Sequence, residues 1–315
     1  MGSCGGIRRP ANRRTVLAAI GTLGAGSVAG CLSRGAESVD VLSAGSLART
    51  FEDHVAPAFE AETGISVRGE YYGANAVMRM VEDRTKHPDV IVSADATLLR
   101  DRLYGDVTDW DVEFATNSVG IGYDDDTEFA RRLEGGEPWY ELLLDTDEGD
   151  VAIGDPDLDP LGYRAVQAFA LAEREYGIDG LQEDLLGLVY EEPEEPQMMA
   201  GVESGSRAAA IVYRNMAIDH GMAFFEFPAA YNFADPALAA HYATVEYTTD
   251  REGYTAEGRP VVYNATVNDK ADAPEPGHRL VQFLVDNPDV LVEAGLTVAD
   301  TIPRSQGNLP GAIEL

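Results

Sequence analysis

Four turns in the chain place small residues directly ahead of a helical pattern, where main-chain N–H groups stand free to meet an anion. In Ala44-Gly45-Ser46-Leu47, Gly45 admits a close backbone approach, and Ser46 offers an amide and a hydroxyl or simply caps the helix. Tyr72-Gly73-Ala74-Asn75 is a second glycine turn, with the amides of Ala74 and Asn75 as its candidate donors. In Ser93-Ala94-Asp95 the aspartate reads as the cap of the next helix. Asp159-Pro160-Leu161-Gly162 joins a capping aspartate to a proline at the first helical position, and the Leu161 amide would face a cleft. Ile211-Val212-Tyr213 sets a phenol at a strand end, as a donor to a ligand or as a core tyrosine with a satisfied hydroxyl. The candidate binding residues are therefore Gly45, Ser46, Ala74, Asn75, Asp159, Leu161 and Tyr213.

Catalytic signatures are missing. There is no phosphate-binding Gly-x-x-x-x-Gly-Lys loop, no His-Glu-x-x-His and no Gly-x-Ser-x-Gly elbow. His54, His87, His220, His241 and His278 are scattered and read as surface residues. Acidic pairs occur everywhere and carry no information; Glu191-Glu192-Pro193-Glu194-Glu195-Pro196 reads as a solvated acidic loop. A binding protein is favoured over an enzyme.

The elements that must position these turns belong to a globular chain of 315 residues, 45% of them apolar. The formal charge is −32, and the lysines are Lys86 and Lys270 alone, all other cations being arginine. Such a surface repels nucleic acid and anionic lipid, and it suits concentrated salt, where charges are screened over about 3 Å at 1 M. At the N-terminus Arg8, Arg9, Arg13 and Arg14 precede the apolar stretch 16–28, and no acid occurs before Glu37. That stretch is too short for a bilayer of about 30 Å and reads as a secretory signal, resembling the twin-arginine type. Val28-Ala29-Gly30-Cys31 resembles a lipobox, so residues 1–30 would be removed, Cys31 lipidated, and 31–38 left as a tether. Cleavage also removes Cys4, which leaves one cysteine and no internal disulfide.

From Val39 the pattern alternates. Strands are expected at 39–43, 65–71 and 90–92, with helices over 47–63, 74–85 and 97–103, giving a parallel sheet covered on both faces. A second α/β unit follows, with strands at 151–153 and 209–213 and a helix over 162–176; strand 261–267 and helices 279–286 and 288–293 close the chain. One lobe is expected over 39–115 plus about 240–315 and the other over 116–239, with a hinge and a central cleft.

Four segments, in order, resemble the molybdate/tungstate-binding proteins of ABC importers, and most their archaeal branch. They are Ala44-Gly45-Ser46-Leu47, Asp89-Val90-x-x-Ser93-Ala94-Asp95, Phe114-Ala115-Thr116-Asn117-Ser118 and Asp159-Pro160-x-Gly162-Tyr163-Arg164. The resemblance implies a type II periplasmic-binding-protein fold, two α/β lobes closing on one oxyanion. Ser46 would donate from one lobe, the Leu161 amide and the Tyr213 hydroxyl from the other, with Asp159 a possible direct ligand of the metal. It also implies no cofactor, an ABC permease as partner, and a monomer held at the outer face of the membrane by its lipid. Two positions depart: Ala74 stands where the family has serine, and Val212 where the archaeal branch has a glutamate that, with the aspartate, raises the metal to six-coordination. A tetrahedral or only partly expanded guest is expected on that ground. Hydrogen-bond donors reject protonated anions, so molybdate, tungstate or sulfate should be preferred to hydrogen phosphate. The alternatives are a receptor of the same fold for sulfate or for ferric iron, with Tyr71 and Tyr72 as phenolates, and an exported hydrolase.

Overall fold

The computed structural model describes residues 37–193, 195–299 and 301–315. The signal, the lipobox cysteine and most of the tether lie outside the described residues. The described chain opens with β1 (Ser38–Ala44), passes through a tight 3-10 turn at Gly45–Leu47 and a wider π-helical stretch at Thr50–Val55, and continues as α1 (Ala56–Thr63). It then runs through β2 (Ser66–Tyr72), α2 (Ala74–Glu82), β3 (Val90–Ser93), α3 (Ala96–Leu103) and β4 (Trp110–Thr116). Asn117 and Ser118 lead into a second half: β5 (Val119–Tyr123), α4 (Glu128–Glu134), α5 (Trp139–Leu144), β6 (Val151–Gly154) and α6 (Pro160–Tyr176). That half continues with α7 (Leu181–Leu186), β7 (Tyr190–Glu192), α8 (Glu195–Glu203), β8 (Ala209–Tyr213), α9 (Arg214–Asp219) and β9 (Ala223–Glu226). The return passes α10 (Ala239–Tyr242) and a hairpin of β10 (Glu246–Thr248) and β11 (Thr255–Glu257). β12 (Val262–Val267), α11 (Pro274–Asp286), α12 (Pro288–Glu293) and β13 (Arg304–Gly307) complete the first half.

Two sheets result, β13-β4-β12-β3-β1-β2 in what we call lobe 1 and β7-β6-β8-β5-β9 in lobe 2. β3 and β8 are buried at every residue, as strands covered on both faces must be. α2 shows the complementary pattern: Ala74, Val77, Met78 and Val81 fall on one stripe and are buried. Neither sheet is purely parallel, contrary to expectation. β1 pairs in parallel with β2 and β3, but β12 runs antiparallel to β3 and β4, and β5 antiparallel to β8 and β9. The strands that enter a lobe after a crossing, β5 and β12, run against those joined by helices, while the leaving strands β4 and β9 run with them. The β10–β11 hairpin joins neither sheet. Asp157 of lobe 2 accepts from the Asp250 amide at 2.8 Å, and Glu252 accepts from Arg79 of α2 at 2.7 Å, so the hairpin touches both lobes.

Candidate functional site

The carboxyl ends of β1, β6 and β8 meet where the lobes touch. Gly45 and Ser46 follow β1, Asp159 and Leu161 follow β6, and Tyr213 ends β8. All are buried, as are Ala74 and Asn75 at the start of α2. A hydrogen-bond chain lies behind Ser46. Its hydroxyl accepts from Tyr263 at 3.4 Å, its carbonyl accepts from the Asn215 side chain at 2.7 Å, and Asn117 in the crossing donates to both Tyr263 and Asn215.

Two expected donors are already committed within the protein. The Leu161 amide donates to Asp159 Oδ1 at 2.9 Å, because the aspartate caps α6. The Asn75 amide donates to the Leu158 carbonyl across the lobes at 3.1 Å. What Asn75 turns inward is its side chain, and neither end of that amide has a partner. Gly73 is required by the same contact: a Cβ there would stand 2.4 Å from the Leu158 carbonyl oxygen.

The sequence reading missed Glu195. It was expected in a solvated loop, yet it opens α8 and is 5% exposed. It lies against the glycine of the first turn, since a Cβ on Gly45 would fall 2.1 Å from Glu195 Oε2. The only signal was Pro196 directly after it, which suits a helix start and makes Glu195 a first-turn acid. Val212 does stand where the glutamate was expected, but the second carboxylate arrives from a different element, so the argument for a tetrahedral guest loses its premise.

Among the described residues, eight buried side-chain polar atoms lack a hydrogen-bond partner. Six of them belong to four residues of this site: both ends of the Asn75 amide, Asp159 Oδ2, both Glu195 oxygens and the Tyr213 hydroxyl. Buried polar groups without partners are costly, and their concentration at one point marks a place built for a polar guest. The charges fit the same picture. Burial pushes the Asp159 carboxyl up to about 7. Burial, and then Asp159 beside it, hold the Glu195 carboxyl well above the ordinary range. Burial also raises the Tyr213 phenol, which is therefore a neutral donor at pH 7. Two facing carboxyls with unpartnered oxygens can hold an electron-poor metal centre, while Ser46, Asn75 and Tyr213 supply donors to oxygens around it. A cavity of about 390 Å³ adjoins the site, lined by Gly45, Ser46, Arg49, Glu195, Met199 and Asp219 among others. The Tyr71 and Tyr72 pair offers less, because Tyr72 gives its hydroxyl to Glu70 at 3.1 Å.

A sequence profile described as bacterial extracellular solute-binding protein matches residues 39–296. A solute-binding protein of Halobacterium salinarum is 47% identical over 97% of this chain and 98% of its own length. A putative ABC transporter molybdenum-binding protein of Haloferax volcanii is 38% identical over 95% and 96%. The molybdate/tungstate-binding protein WtpA of Thermococcus kodakarensis is 29% identical over 82% and 83%. Among solved structures, the periplasmic molybdate-binding protein of Azotobacter vinelandii superposes with a TM-score of 0.61 at 14% identity, covering 83% of this chain and all of that one. These likenesses establish the type II periplasmic-binding fold, and the profile match settles the family: this chain belongs to the bacterial extracellular solute-binding protein family, whose members are solute receptors and not enzymes.

Proposed function

We propose that the protein captures molybdate or tungstate between its lobes and delivers it to an ABC importer. Ser46, Asn75 and Tyr213 donate to the oxyanion, and Asp159 and Glu195 give carboxylate oxygens to the metal. The observation that carries this reading is a pair of neighbouring buried carboxyls, three of whose four oxygens, Asp159 Oδ2 and both of Glu195, meet no hydrogen-bond donor. A carboxylate beside a dianion repels it unless the central atom accepts its oxygen. Molybdenum(VI) and tungsten(VI) expand from four to six oxygen ligands, and sulfur(VI) in sulfate does not. The names of the Haloferax and Thermococcus relatives support the same solute. Gly45 and Gly73 serve by being small, Ala74 and Leu161 by shaping the two helix starts. The signal-like N-terminus supports export by the twin-arginine route and a lipid on Cys31, with the monomer tethered outside the membrane. Mass spectrometry of the mature N-terminus tests the lipid.

Calorimetric titration in concentrated salt tests the solute. Molybdate and tungstate should bind, and sulfate and phosphate should not. Sulfate binding as tightly as tungstate would overturn metal coordination by the acids. Ferric citrate belongs in the same series, because two carboxylates and a phenol also suit a hard cation; a visible charge-transfer band would favour iron.

A further inference from the structure

Among the described residues, one ion pair has both side chains almost wholly buried, and it joins the lobes. Arg164 of α6 reaches Asp95, at the start of α3, at 3.0 Å, with the side chains 0% and 4% exposed. Asp95 divides its oxygens by lobe. Oδ1 caps α3, accepting the Thr97 and Leu98 amides at 2.9 and 3.2 Å. Oδ2 accepts only from lobe 2, from the Tyr163 hydroxyl at 2.9 Å and from Arg164 at 3.0 Å. The cap survives any movement of the lobes, and the other two bonds last only while the lobes touch. Arg164 depends on the contact as heavily. Its remaining neighbours are neutral: Gln167 at 3.0 Å, the Glu257 carbonyl at 3.5 Å, and the rings of Tyr163 and Phe233 at 5.4 and 5.2 Å. Phe233 belongs to the returning crossing and sits in the left-handed region, at φ 57°, a strained setting for a bulky residue.

We propose that Asp95 and Arg164 form a closure clasp, a pair of positioning residues that set how firmly the lobes hold a guest without belonging to the donor set. The proposal rests on the reading that a solute is held by closure. When the lobes part, water reaches both charges. When they meet, both are desolvated, and closure is tolerated only in the register that sets Asp95 on Tyr163 and Arg164 together. A buried charge left without its partner is strongly penalised, so the clasp is a check on alignment. Affinity follows, because a guest bridging two lobes binds in proportion to the closed population.

Asp95→Asn tests this. Asparagine still caps α3 through its Oδ1, but it sets an NH2 donor where Oδ2 accepts from Tyr163 and Arg164, so in the closed form the guanidinium is left without a counter-charge. Tungstate should bind about 100-fold more weakly or worse, while melting of the protein without tungstate stays near wild type. Asp95→Asn combined with Arg164→Met removes both charges and should return to within about tenfold of wild type. Tyr163→Phe spares both the charges and the cap and should weaken binding by about tenfold. It answers the question even if Asp95→Asn does not fold. Binding by Asp95→Asn within threefold of wild type, a double variant no better than the single, or an unchanged Tyr163→Phe would each overturn the clasp. A wild-type protein that ignores tungstate would instead remove the solute reading beneath it.

Discussion

Replacing Glu195 with glutamine keeps the side chain's shape, removes its charge, and separates two roles by the sign of the result. If the carboxylate were only a bystander, its removal would relieve repulsion of a dianion. A unit charge acting on a double charge about 8 Å away through an effective dielectric of about 20 costs about 4 kcal/mol, so tungstate would bind about 1,000-fold more tightly. Glu195 lies against the Gly45 turn that precedes Ser46, and a separation shorter than about 8 Å would raise the figure for a bystander. If the carboxylate is a ligand of the metal, losing a charged partner in a buried site costs about 2–5 kcal/mol, and binding weakens by about 100-fold. Calorimetry at pH 7.5 in concentrated salt distinguishes them, and weakening is expected. The same variant should melt higher than wild type without tungstate at pH 8 and not at pH 4, because burial penalises the ionised acid only where it is ionised. Tighter binding by Glu195→Gln would refute the coordination argument.

Three further outcomes follow from the same geometry. Tyr213→Phe removes a neutral donor facing a charged acceptor and should weaken tungstate binding by about 10- to 100-fold in titration, with little change in melting. Gly73→Ala fits its own lobe but places a methyl 2.4 Å from the Leu158 carbonyl; X-ray scattering should show a larger radius than wild type at saturating tungstate, and an equal radius would contradict the contact. The Asp159 carboxyl rises to about 7 only where the lobes enclose it, so the closed form without solute holds a proton that an open, hydrated form lacks. Closure is therefore favoured below the ordinary carboxylate range and loses that advantage as pH rises to about 7, which scattering between pH 4 and 8 without tungstate should show as expansion.

The alternation of short apolar runs and amphipathic stripes made the α/β order readable from Val39 onward, and the capping roles of Asp95 and Asp159 follow from single residues. The antiparallel strands were not legible, because direction in a sheet depends on where the chain crosses and not on strand composition. At the site, Ser46, Asp159 and Tyr213 announce themselves by standing at strand ends, since local geometry fixes them. Asn75 was half legible: its position was clear, but which of its groups turns inward depends on Leu158, eighty-three residues away. For Glu195 the sequence offered only Pro196 as a mark of a helix start, because its burial comes from packing against Gly45, and in this chain acids are too common for one to stand out.

X-ray absorption at the tungsten edge of the loaded protein tests the central claim most directly. Coordination by Asp159 and Glu195 predicts six oxygens around the metal, falling to five or four when both are changed to their amides. Four oxygens in the unaltered protein, at the distances of free tungstate, would contradict it.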